Sequence, residues 1–486
     1  MHPENDLIAQ RFKKLEELRK MGVQPYPYHY AVTHHAHAIL KHYVSLKNEE
    51  KTQDAVAIAG RIMTLREMGK ASFAHLQDET GKIQIYVRQD VLGDQYEIFK
   101  RLDLGDIIGV KGTIFRTKTG EITVHVQELT LLTKSLRPLP EKWHGLKDIE
   151  VRYRKRYLDL ISNPEVKEVF KKRAAITDAL RTFLKEKGFL EVDTPVLQPI
   201  YGGASARPFT SFLHDLKMNV YLRVSDELYL KRLIVGGYDK VFEIGKDFRN
   251  ESIDRTHNPE FTMMECYAAY WDYNDMMELV EDCYISIAKK VFGTTQFEYQ
   301  GNVVNFQKPW KRMTMIEAIK EHTKVDVSQM KEEELQNTLR NYNISYEGDF
   351  SWGLGVQLLF EELVEDKLIQ PTFITDHPRE STPLCKGKRG DARLIERFEP
   401  FCCGMEIGNA YSELNDSVIQ RKLLEEQANA LAKGDNEANP MDEDFIEALE
   451  YGMPPTGGLG LGIDRMVMLM TNNPPIRDVL LFPFMK

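Results

Sequence analysis

Alternating apolar and polar positions predict a run of short strands near the start of the chain. The strands are expected at residues 55–64, 71–77, 82–88, 106–116 and 121–132. A helical pattern at residues 91–102 separates the third strand from the fourth. Five strands with a helix at this place are typical of an OB-fold barrel, whose usual ligands are single-stranded nucleic acids and sugars.

Apolar residues at helical spacing predict a helix on each side of this barrel. The first helix covers residues 7–21 and carries basic residues around its apolar stripe. It either docks on the neighbouring domain or lies near RNA, and the two interpretations are compatible. The second helix covers residues 165–187, where Pro164 suits the first turn and Gly188 ends the helix.

A hairpin is predicted at residues 241–270, where two strand-like runs flank a polar, turn-prone loop at 250–259. On a strand, Arg249 and Glu251 would share one face, because side chains alternate along it. The charged and polar side chains of such a hairpin form a poor packing surface, but they are suited to binding a phosphate, an aromatic base and a cation. For Arg249 alone, a solvated surface ion pair is the commoner explanation.

Polar and aromatic side chains recur at strand spacing in two further places. Glu265 and Tyr267 share one face of the hairpin's return strand. Asn409, Tyr411 and Glu413 alternate in the same way near the C-terminal end. Each set would therefore present its side chains to one side of a sheet.

Two glutamates, Glu399 and Glu406, flank a predicted turn. Glu406 is out of phase with the alternating residues that follow it, which predicts a bulge near Gly408. Two antiparallel strands would bring both carboxylates to one Mg²⁺ ion, since this cation prefers oxygen ligands. Without a phosphate site nearby, two surface glutamates beside a hairpin are the better interpretation.

The composition is that of a folded protein of 486 residues, long enough for two or three domains. No apolar run approaches the ~20 residues of a membrane span, and residues 1–22 lack the apolar core of a secretory signal. Five cysteines without a C-x-x-C pair suit reduced thiols, so a cytoplasmic location is expected. With a net charge of −10, contact with nucleic acid must come from local basic surface.

Three segments carry a resemblance to a known family. Residues 248–251 and 257–261 read FRNE and HNPEF, and they resemble motif 2 of the class II aminoacyl-tRNA synthetases. Residues 458–469, GLGLGIDRMVML, resemble motif 3, and residues 187–195, KGFLEVDTP, resemble motif 1. Each motif alone is a weak signal, but together they are in register over nearly the whole chain.

The resemblance implies an α+β catalytic domain on an antiparallel sheet, an N-terminal OB-fold barrel that binds the tRNA anticodon, and a homodimer. The chain would divide into an N-terminal helix and extension at 1–50, the OB-fold at 51–135, a linker at 136–162 and the catalytic domain at 163–486. Residues around 296–370 are expected to be a less regular insertion in the catalytic domain.

The resemblance also implies a site for ATP and Mg²⁺. Arg249 and Arg465 would be the catalytic residues, because they would hold the α- and γ-phosphates. The ATP-binding residues would be Arg249, Glu251, His257, Asn258, Phe261, Glu399 and Arg465. The metal ligands would be Glu399, Glu406 and Glu413.

The amino-acid pocket distinguishes the aspartate, asparagine and lysine branches, which share the OB-fold. An acidic substrate needs a cationic pocket, whereas the implied pocket is anionic with aromatic walls and suits an ammonium on an apolar stem. Its residues would be Gly203, Glu227, Glu265, Tyr267, Asn409, Tyr411, Glu413 and Gly462. The resemblance is therefore to the lysine branch, whose members activate L-lysine with ATP and transfer it to tRNA(Lys).

The segment GKASFAHLQD at residues 69–78 resembles the anticodon-binding strand of the lysine branch. By this resemblance Arg61, Phe73, Gln84 and Glu128 would contact anticodon bases. Considered alone, Phe73 is more simply explained as a core aromatic residue.

Two other functions stay open. A synthetase-like protein that binds RNA or a partner without charging tRNA would be expected to lack Arg249, Arg465 or the metal glutamates, and all are present. A ligase that attaches lysine to a protein is the other candidate, but relatives of that type lack the OB-fold.

Overall fold

The computed structural model describes residues 3–140, 146, 148–346 and 348–486, and for residues 3–5 it describes the backbone alone. The chain forms two compact units, Met1–Gly145 and Leu146–Lys486. The predicted linker at 136–162 lies partly outside the described residues, at 141–145 and 147. Among the described residues, no helix is both long enough and apolar enough to cross a membrane.

The N-terminal unit is a closed barrel of five strands in the order β1-β2-β3-β5-β4, which confirms the predicted fold class of this part. Its elements are α1 (Pro3–Lys20), α2 (Ala36–His42), β1 (Lys51–Met68), β2 (Ala71–Gln77), β3 (Lys82–Arg88), α3 (Gln89–Leu92), α4 (Gln95–Phe99), β4 (Ile107–Arg116) and β5 (Ile122–Thr133).

Two helical details differ from the sequence prediction or refine it. The single helix expected at 91–102 is two short helices, because Gly93 ends α3 with a positive φ of 54°. Helix α1 docks on the barrel through Leu18, which is buried in the barrel's core. Arg11 reinforces this docking by donating hydrogen bonds to the backbone oxygens of Leu104 and Ser135.

The C-terminal unit combines helices with a large sheet and three small ones. Its helices are α5 (Ile149–Arg154), α6 (Arg156–Ser162), α7 (Pro164–Glu186), α8 (Glu227–Val235), α9 (Tyr273–Phe292), α10 (Met315–Thr323), α11 (Glu332–Asn341), α12 (Trp352–Leu363), α13 (Ser417–Ala432), α14 (Glu443–Glu450), α15 (Ile463–Thr471) and α16 (Ile476–Val479). Its strands are β6 (Leu190–Glu191), β7 (Leu197–Gln198), β8 (Thr210–Leu213), β9 (Met218–Leu222), β10 (Lys240–Phe248), β11 (Glu260–Ala269), β12 (Gln296–Tyr299), β13 (Asn302–Asn305), β14 (Lys311–Thr314), β15 (Thr372–Thr375), β16 (Gly387–Lys388), β17 (Asp391–Ile395), β18 (Arg397–Cys402), β19 (Met405–Glu406), β20 (Gly408–Ser412) and β21 (Thr456–Gly462).

The main sheet has the order β14-β15-β18-β20-β21-β11-β10-β6, with β19 paired to β18. It is antiparallel, as predicted, except at its two ends, where β14 pairs with β15 and β6 with β10 in parallel. Side chains alternate across the central strands, so Met264 and Leu459 enter a core shared with α7, α9 and α15. The opposite face of the same strands carries Glu265 and Gly458.

The segment around 296–370 is more regular than the sequence suggested. It contains a hairpin (β12 and β13), the strand β14 and the helices α10 to α12. Leu335, Leu359 and Phe360 form a separate apolar cluster with the sheet residues Ile374 and Phe401. The irregular appearance of the sequence arises because the segment mixes strands of four residues with helices of nine to twelve residues.

Two strand ends also differ from expectation. Strand β10 stops at Phe248, so Arg249 and Glu251 lie in the loop and not on one strand face. The Arg249 amide nevertheless donates to the Pro259 oxygen at 2.9 Å, which holds the start of the loop in hairpin geometry. Near Gly408, where a bulge was expected, strand pairing is interrupted at residue 407, which separates β19 from β20.

Candidate active site

A cavity of about 340 Å³ opens on the polar face of the main sheet. Every residue predicted for the nucleotide, the amino acid or the metal lines it. These residues are Gly203, Glu227, Arg249, Glu251, His257, Asn258, Phe261, Glu265, Tyr267, Glu399, Glu406, Asn409, Tyr411, Glu413, Gly462 and Arg465. The sequence prediction therefore converges on one place, although the residues span more than 260 positions of the chain.

The register of three strands explains how the cavity forms. Tyr267 of β11 lies opposite Gly458 of β21, and Gly458 lies opposite Tyr411 of β20. One step along, Glu265 and Asn409 flank Gly460 in the same way. Because the middle strand carries glycines, the side chains of its two neighbours stand apart over an open floor.

The arginine end of the cavity is arranged to receive an anion. The Arg249 guanidinium lies 5.1 Å from the centre of the Phe261 ring. Its buried Nε has no hydrogen-bond partner among the described residues. Such an orphaned donor is costly unless a ligand satisfies it, so this atom points to an anionic ligand.

Arg465 is held between the hairpin loop and β19. Its Nη1 donates to the backbone oxygen of Glu406 at 2.6 Å, and its Nη2 lies 3.2 Å from His257 Nε2. The other nitrogen of that ring, Nδ1, lies 2.8 Å from Asp254 Oδ2. Since Arg465 lies in the first turn of α15, backbone N–H groups add positive potential beside it.

Glu399 and Glu406 each pair with an arginine, Glu399 with Arg397 and Glu406 with Arg465. A further acid, Glu365, lies close enough to interact with both. Burial raises the pKa of Glu365 to about 7, and the charges of Glu399 and Glu406 add to this effect. The carboxylates here therefore outnumber the arginines that pair with them, and this set of oxygen donors fits Mg²⁺.

Glu413, the third predicted metal ligand, lies apart from this pair. It is buried and forms an ion pair with Lys231. Across the described residues, the three acids whose oxygens lie within 4.8 Å of one another are instead Asp226, Asp247 and Glu265. The structure thus does not gather Glu399, Glu406 and Glu413 as one ligand set.

The far end of the cavity is a buried acidic floor. Glu265 accepts hydrogen bonds from Ser225 Oγ at 2.8 Å and from the Tyr267 hydroxyl at 3.1 Å. Burial raises the pKa of Glu265 to about 8, and the neighbouring charge of Asp247 contributes. Burial likewise raises the pKa of Glu413 to about 8, although Lys231 opposes the shift. The floor therefore favours a bound cation or a proton over bare negative charge.

An aromatic and amide wall completes the pocket. Asn409 Nδ2 donates to the Tyr411 hydroxyl at 2.7 Å, and Arg397 Nε donates to Asn409 Oδ1 at 3.0 Å. Arg397 therefore links the wall to Glu399, which was predicted to bind the metal and ATP. This connection couples the geometry of the two ends of the cavity.

The comparisons with known proteins agree with this geometry. Residues 148–486 match the family model for class II tRNA synthetases (D, K and N), and residues 56–132 match the model for the OB-fold nucleic acid binding domain. The first match covers more than half of the chain. The chain belongs to the class II tRNA synthetases of the D, K and N group.

Relatives of this synthetase are similar over their whole length. A protein of Pelotomaculum thermopropionicum, named lysine–tRNA ligase, is 54% identical over 99% of this chain and 95% of its own. A protein of the same name from Carboxydothermus hydrogenoformans is 52% identical over 99% of this chain and 98% of its own. A third, from Halalkalibacterium halodurans, is 52% identical over 99% and 97%.

The residues predicted to contact the anticodon lie on the outer face of the synthetase's barrel. Phe73 is only partly buried, so it is not a core residue, and it stacks on Tyr86 at 4.7 Å between ring centres. Gln84 donates to Glu121 and accepts from Thr123. Arg61 donates to the Gly105 oxygen at 2.8 Å, and Glu128 pairs with Lys111 at 2.7 Å. Tyr86 also contacts the rings of Phe115 and His125, so Phe73 belongs to an aromatic group of four residues.

Sequence reasoning missed several residues of the synthetase site. Lys231 follows Glu227 by four positions on α8, a spacing that brings the two side chains together and was available as a signal. Arg397 precedes Glu399 by two positions on β18, so the sequence spacing also indicated that the two side chains share one face of the strand. Glu365 lies in a short 3₁₀ turn after α12, and nothing in the local sequence connects it to the cavity.

We expect Gly458→Ala to abolish amino-acid activation by closing the pocket. A Cβ at this position would overlap Glu413 Oε1 and would lie 2.5 Å from Tyr267 Cε1. Glu413 is paired with Lys231 and the Tyr267 hydroxyl donates to Glu265, so moving either side chain would break a buried contact. The measurement is amino-acid-dependent exchange of pyrophosphate with ATP.

Gly387→Ala is the matched control for this change, because a Cβ there meets no atom within 4 Å. It should leave exchange unchanged. Equal activity of Gly458→Ala and the wild type would contradict the description of the pocket floor.

Proposed function

We propose that this synthetase activates L-lysine with ATP to lysyl-adenylate and transfers the lysyl group to the 3′ end of tRNA(Lys). The observation that carries the proposal is the buried acidic floor formed by Glu227, Glu265 and Glu413, in the same cavity as Arg249 and Arg465. Full-length similarity to proteins named lysine–tRNA ligase supports it.

The first step needs no general base, because the attacking carboxylate of the amino acid is already an anion. This carboxylate attacks the α-phosphorus of ATP and pyrophosphate leaves. Catalysis then rests on in-line positioning and on neutralising phosphate charge. Arg249 would serve as a planar clamp on the α-phosphate, since its Nε is otherwise unsatisfied.

The nucleotide would lie between Phe261 and Arg465, with the adenine ring stacked on both. His257 and Asn258 would contact the triphosphate, and Glu251 the adenine edge. Glu399 and Glu406 would hold Mg²⁺, which would offset the negative charge of the phosphates. In the second step the terminal ribose hydroxyl of the tRNA attacks the adenylate carbonyl and AMP leaves.

The acidic floor favours lysine over aspartate and asparagine. The three glutamates offer no positive charge to a carboxylate side chain, whereas they can ionise to balance the two ammonium groups of lysine. Tyr267 and Tyr411 would flank the apolar stem of the substrate. Gly203 and Gly462 would bring backbone close to the amino acid, since neither carries a side chain.

Two features support a tRNA partner and a homodimer. The outer face of the barrel offers stacked aromatic rings on which anticodon bases would pack. Around β6 to β9, apolar side chains are exposed, as expected of a surface that a second copy covers. They are Leu190, Val196, Leu197, Phe212 and Leu216. A cytoplasmic location is consistent with this role.

The alternative of a synthetase-like protein that binds RNA without charging it is disfavoured by the site. Such a protein has no need of an orphaned arginine beside a set of carboxylates. Here the arginines, the carboxylates and the acidic floor share one cavity. Complete adenylation chemistry is therefore the better proposal.

Amino-acid-dependent exchange of pyrophosphate with ATP tests the function directly. With Mg²⁺ and no tRNA present, we expect exchange with lysine and none with the other common amino acids. Exchange with aspartate or asparagine would overturn the assignment of the acidic floor. A folded protein that exchanges with none of them would favour the RNA-binding alternative.

Replacing Phe73 with alanine tests the anticodon face. Loss of one stacking platform costs ~1–3 kcal/mol, so the KM for tRNA(Lys) should rise roughly tenfold or more. Exchange without tRNA should be unchanged, because Phe73 lies in the other unit. Tyr28→Ala removes a fully exposed aromatic ring of the same unit and is the control. An unaltered KM for tRNA in Phe73→Ala would contradict the proposed face.

A further inference from the structure

Two adjacent cysteines lie at the turn between β18 and β19. Cys402 is the last residue of β18 and is buried in the core of the catalytic unit, whereas Cys403 lies in the turn and is partly exposed. Their sulfur atoms lie 3.7 Å and 3.6 Å from the same backbone oxygen, that of Ile369. The two thiols therefore lie side by side at one point of the fold.

This arrangement is unusual for neighbouring residues. Side chains alternate along a strand, so consecutive residues normally point to opposite faces. Cys403 ends the alternation because it has a positive φ of 52°, a conformation that is uncommon for residues other than glycine. A glycine at this position would form the turn with less strain. Packing alone therefore does not explain the second cysteine.

We propose that Cys402 and Cys403 form a redox modification site, a dithiol that closes to a disulfide by exchange with a low-molecular-weight disulfide. This modification goes beyond the proposed function, because ring formation needs neither ATP nor an amino acid. For Cys402 alone, a small apolar residue of the core would be the commoner explanation. A partly exposed thiol directly beside it gives the pair a route to an oxidant in solvent.

The exchange would begin at Cys403, the more exposed cysteine of the pair. The Cys402 thiol lies within hydrogen-bonding reach and lowers the pKa of the Cys403 thiol, which favours the nucleophilic thiolate. Cys403 attacks one sulfur of the small disulfide, so a mixed disulfide forms and one small thiol leaves. The Cys402 sulfur then attacks the Cys403 sulfur, and the second small thiol leaves. Two protons and two electrons pass from the protein to the oxidant.

The closed ring should be easily reduced again. Adjacent residues hold their Cα atoms about 3.8 Å apart, less than the roughly 4.4–6.8 Å that disulfides prefer. A disulfide between them is therefore strained, and strained disulfides are the labile ones. Such a pair suits a transient response to oxidation better than a permanent cross-link.

Ring closure would loosen the contact that holds the turn in place. In the reduced protein the Cys403 amide donates to the Ile369 oxygen at 3.1 Å, and the Gly404 amide donates to the Leu368 oxygen at 3.0 Å. Both thiols also lie within hydrogen-bond distance of the Ile369 oxygen. A disulfide has no S–H group, so closure removes the thiol part of this contact.

The same turn joins the two strands that carry the proposed metal glutamates. Glu399 precedes Cys402 by three positions, and Glu406 follows Cys403 by three. Glu406 pairs with Phe401 across β18 and β19, directly beside the turn. A shift of the turn would displace the two carboxylates relative to each other, so the oxidised protein should bind ATP with Mg²⁺ less well. This consequence rests on the proposed function, whereas formation of the ring does not.

Mass spectrometry after treatment with oxidised glutathione tests the ring directly. Cleavage after lysine and arginine releases residues 398–421 as one peptide, whose only cysteines are Cys402 and Cys403. With free thiols alkylated before cleavage, the wild-type peptide should carry no alkyl group and weigh two hydrogen atoms less than its unmodified form. Dithiothreitol should reverse this change. Cys402→Ala should instead retain glutathione on Cys403, because no second thiol can displace it.

Cys403→Gly tests the effect on the metal end, because glycine adopts the positive φ of this turn without strain. Before oxidation it should match the wild type in pyrophosphate exchange. Oxidation should raise the wild-type KM for ATP at least about threefold, since displaced ligands position the nucleotide less well, and should leave Cys403→Gly unchanged. Cys283→Ala removes a buried thiol of α9 and is the control, which should respond to the oxidant as the wild type does.

Two results would overturn the proposed ring. Stable glutathione on Cys403 of the wild type would show that Cys402 cannot close it, and free thiols at both positions would show that no exchange occurs. A closed ring with an unchanged KM for ATP would refute the effect on the metal end. If Cys403→Gly does not fold, recovery of the wild-type KM after dithiothreitol decides this point. Absence of lysine-dependent exchange in the reduced wild type would refute the proposed function instead, while the peptide masses would still decide on the ring.

Discussion

Negative charge buried beneath the cavity is the constraint on which the catalytic unit depends. Glu227, Glu265 and Glu413 lie in a region that water scarcely reaches, and an uncompensated carboxylate there is costly. Lys231 offsets part of the charge. Below the floor, Arg223 donates to Glu243 Oε1 and lies 3.2 Å from Asp247 Oδ1. Burial raises the pKa of Glu265 and of Glu413, and a diammonium substrate would favour their ionised forms.

The sheet positions these charges through its backbone register. Strand β21 lies between β11 and β20 and presents glycines to the cavity, so at this part of the sheet the pocket side chains come from the two flanking strands. On the reverse face, Met264 and Leu459 anchor the same strands in the core. The loops at residues 249–259 and around Gly203 also line the cavity.

Strand alternation and turn signals are local properties, and they were sufficient for the barrel and the hairpin, whereas the residues around the cavity were named from the family resemblance. Sequence patterns failed where contacts are distant in sequence. Glu365 approaches Glu399 and Glu406 through the packing of α12. Glu413 forms an ion pair with Lys231 and does not lie beside Glu399 and Glu406. The end of β10 before Arg249 was also missed, since the loop continues the hairpin's hydrogen bonding without strand geometry.

Proton release on lysine binding, measured by calorimetry in buffers of different ionisation enthalpy, tests the charged floor most directly. In the empty pocket Glu265 and Glu413 have pKa values of about 8, so at pH 7 both favour the protonated form. An arriving ammonium requires them ionised. We therefore expect release of roughly one proton or more per lysine at pH 7, tighter binding as the pH rises towards 8, and little release well above it. Binding without proton release across this range would contradict the account.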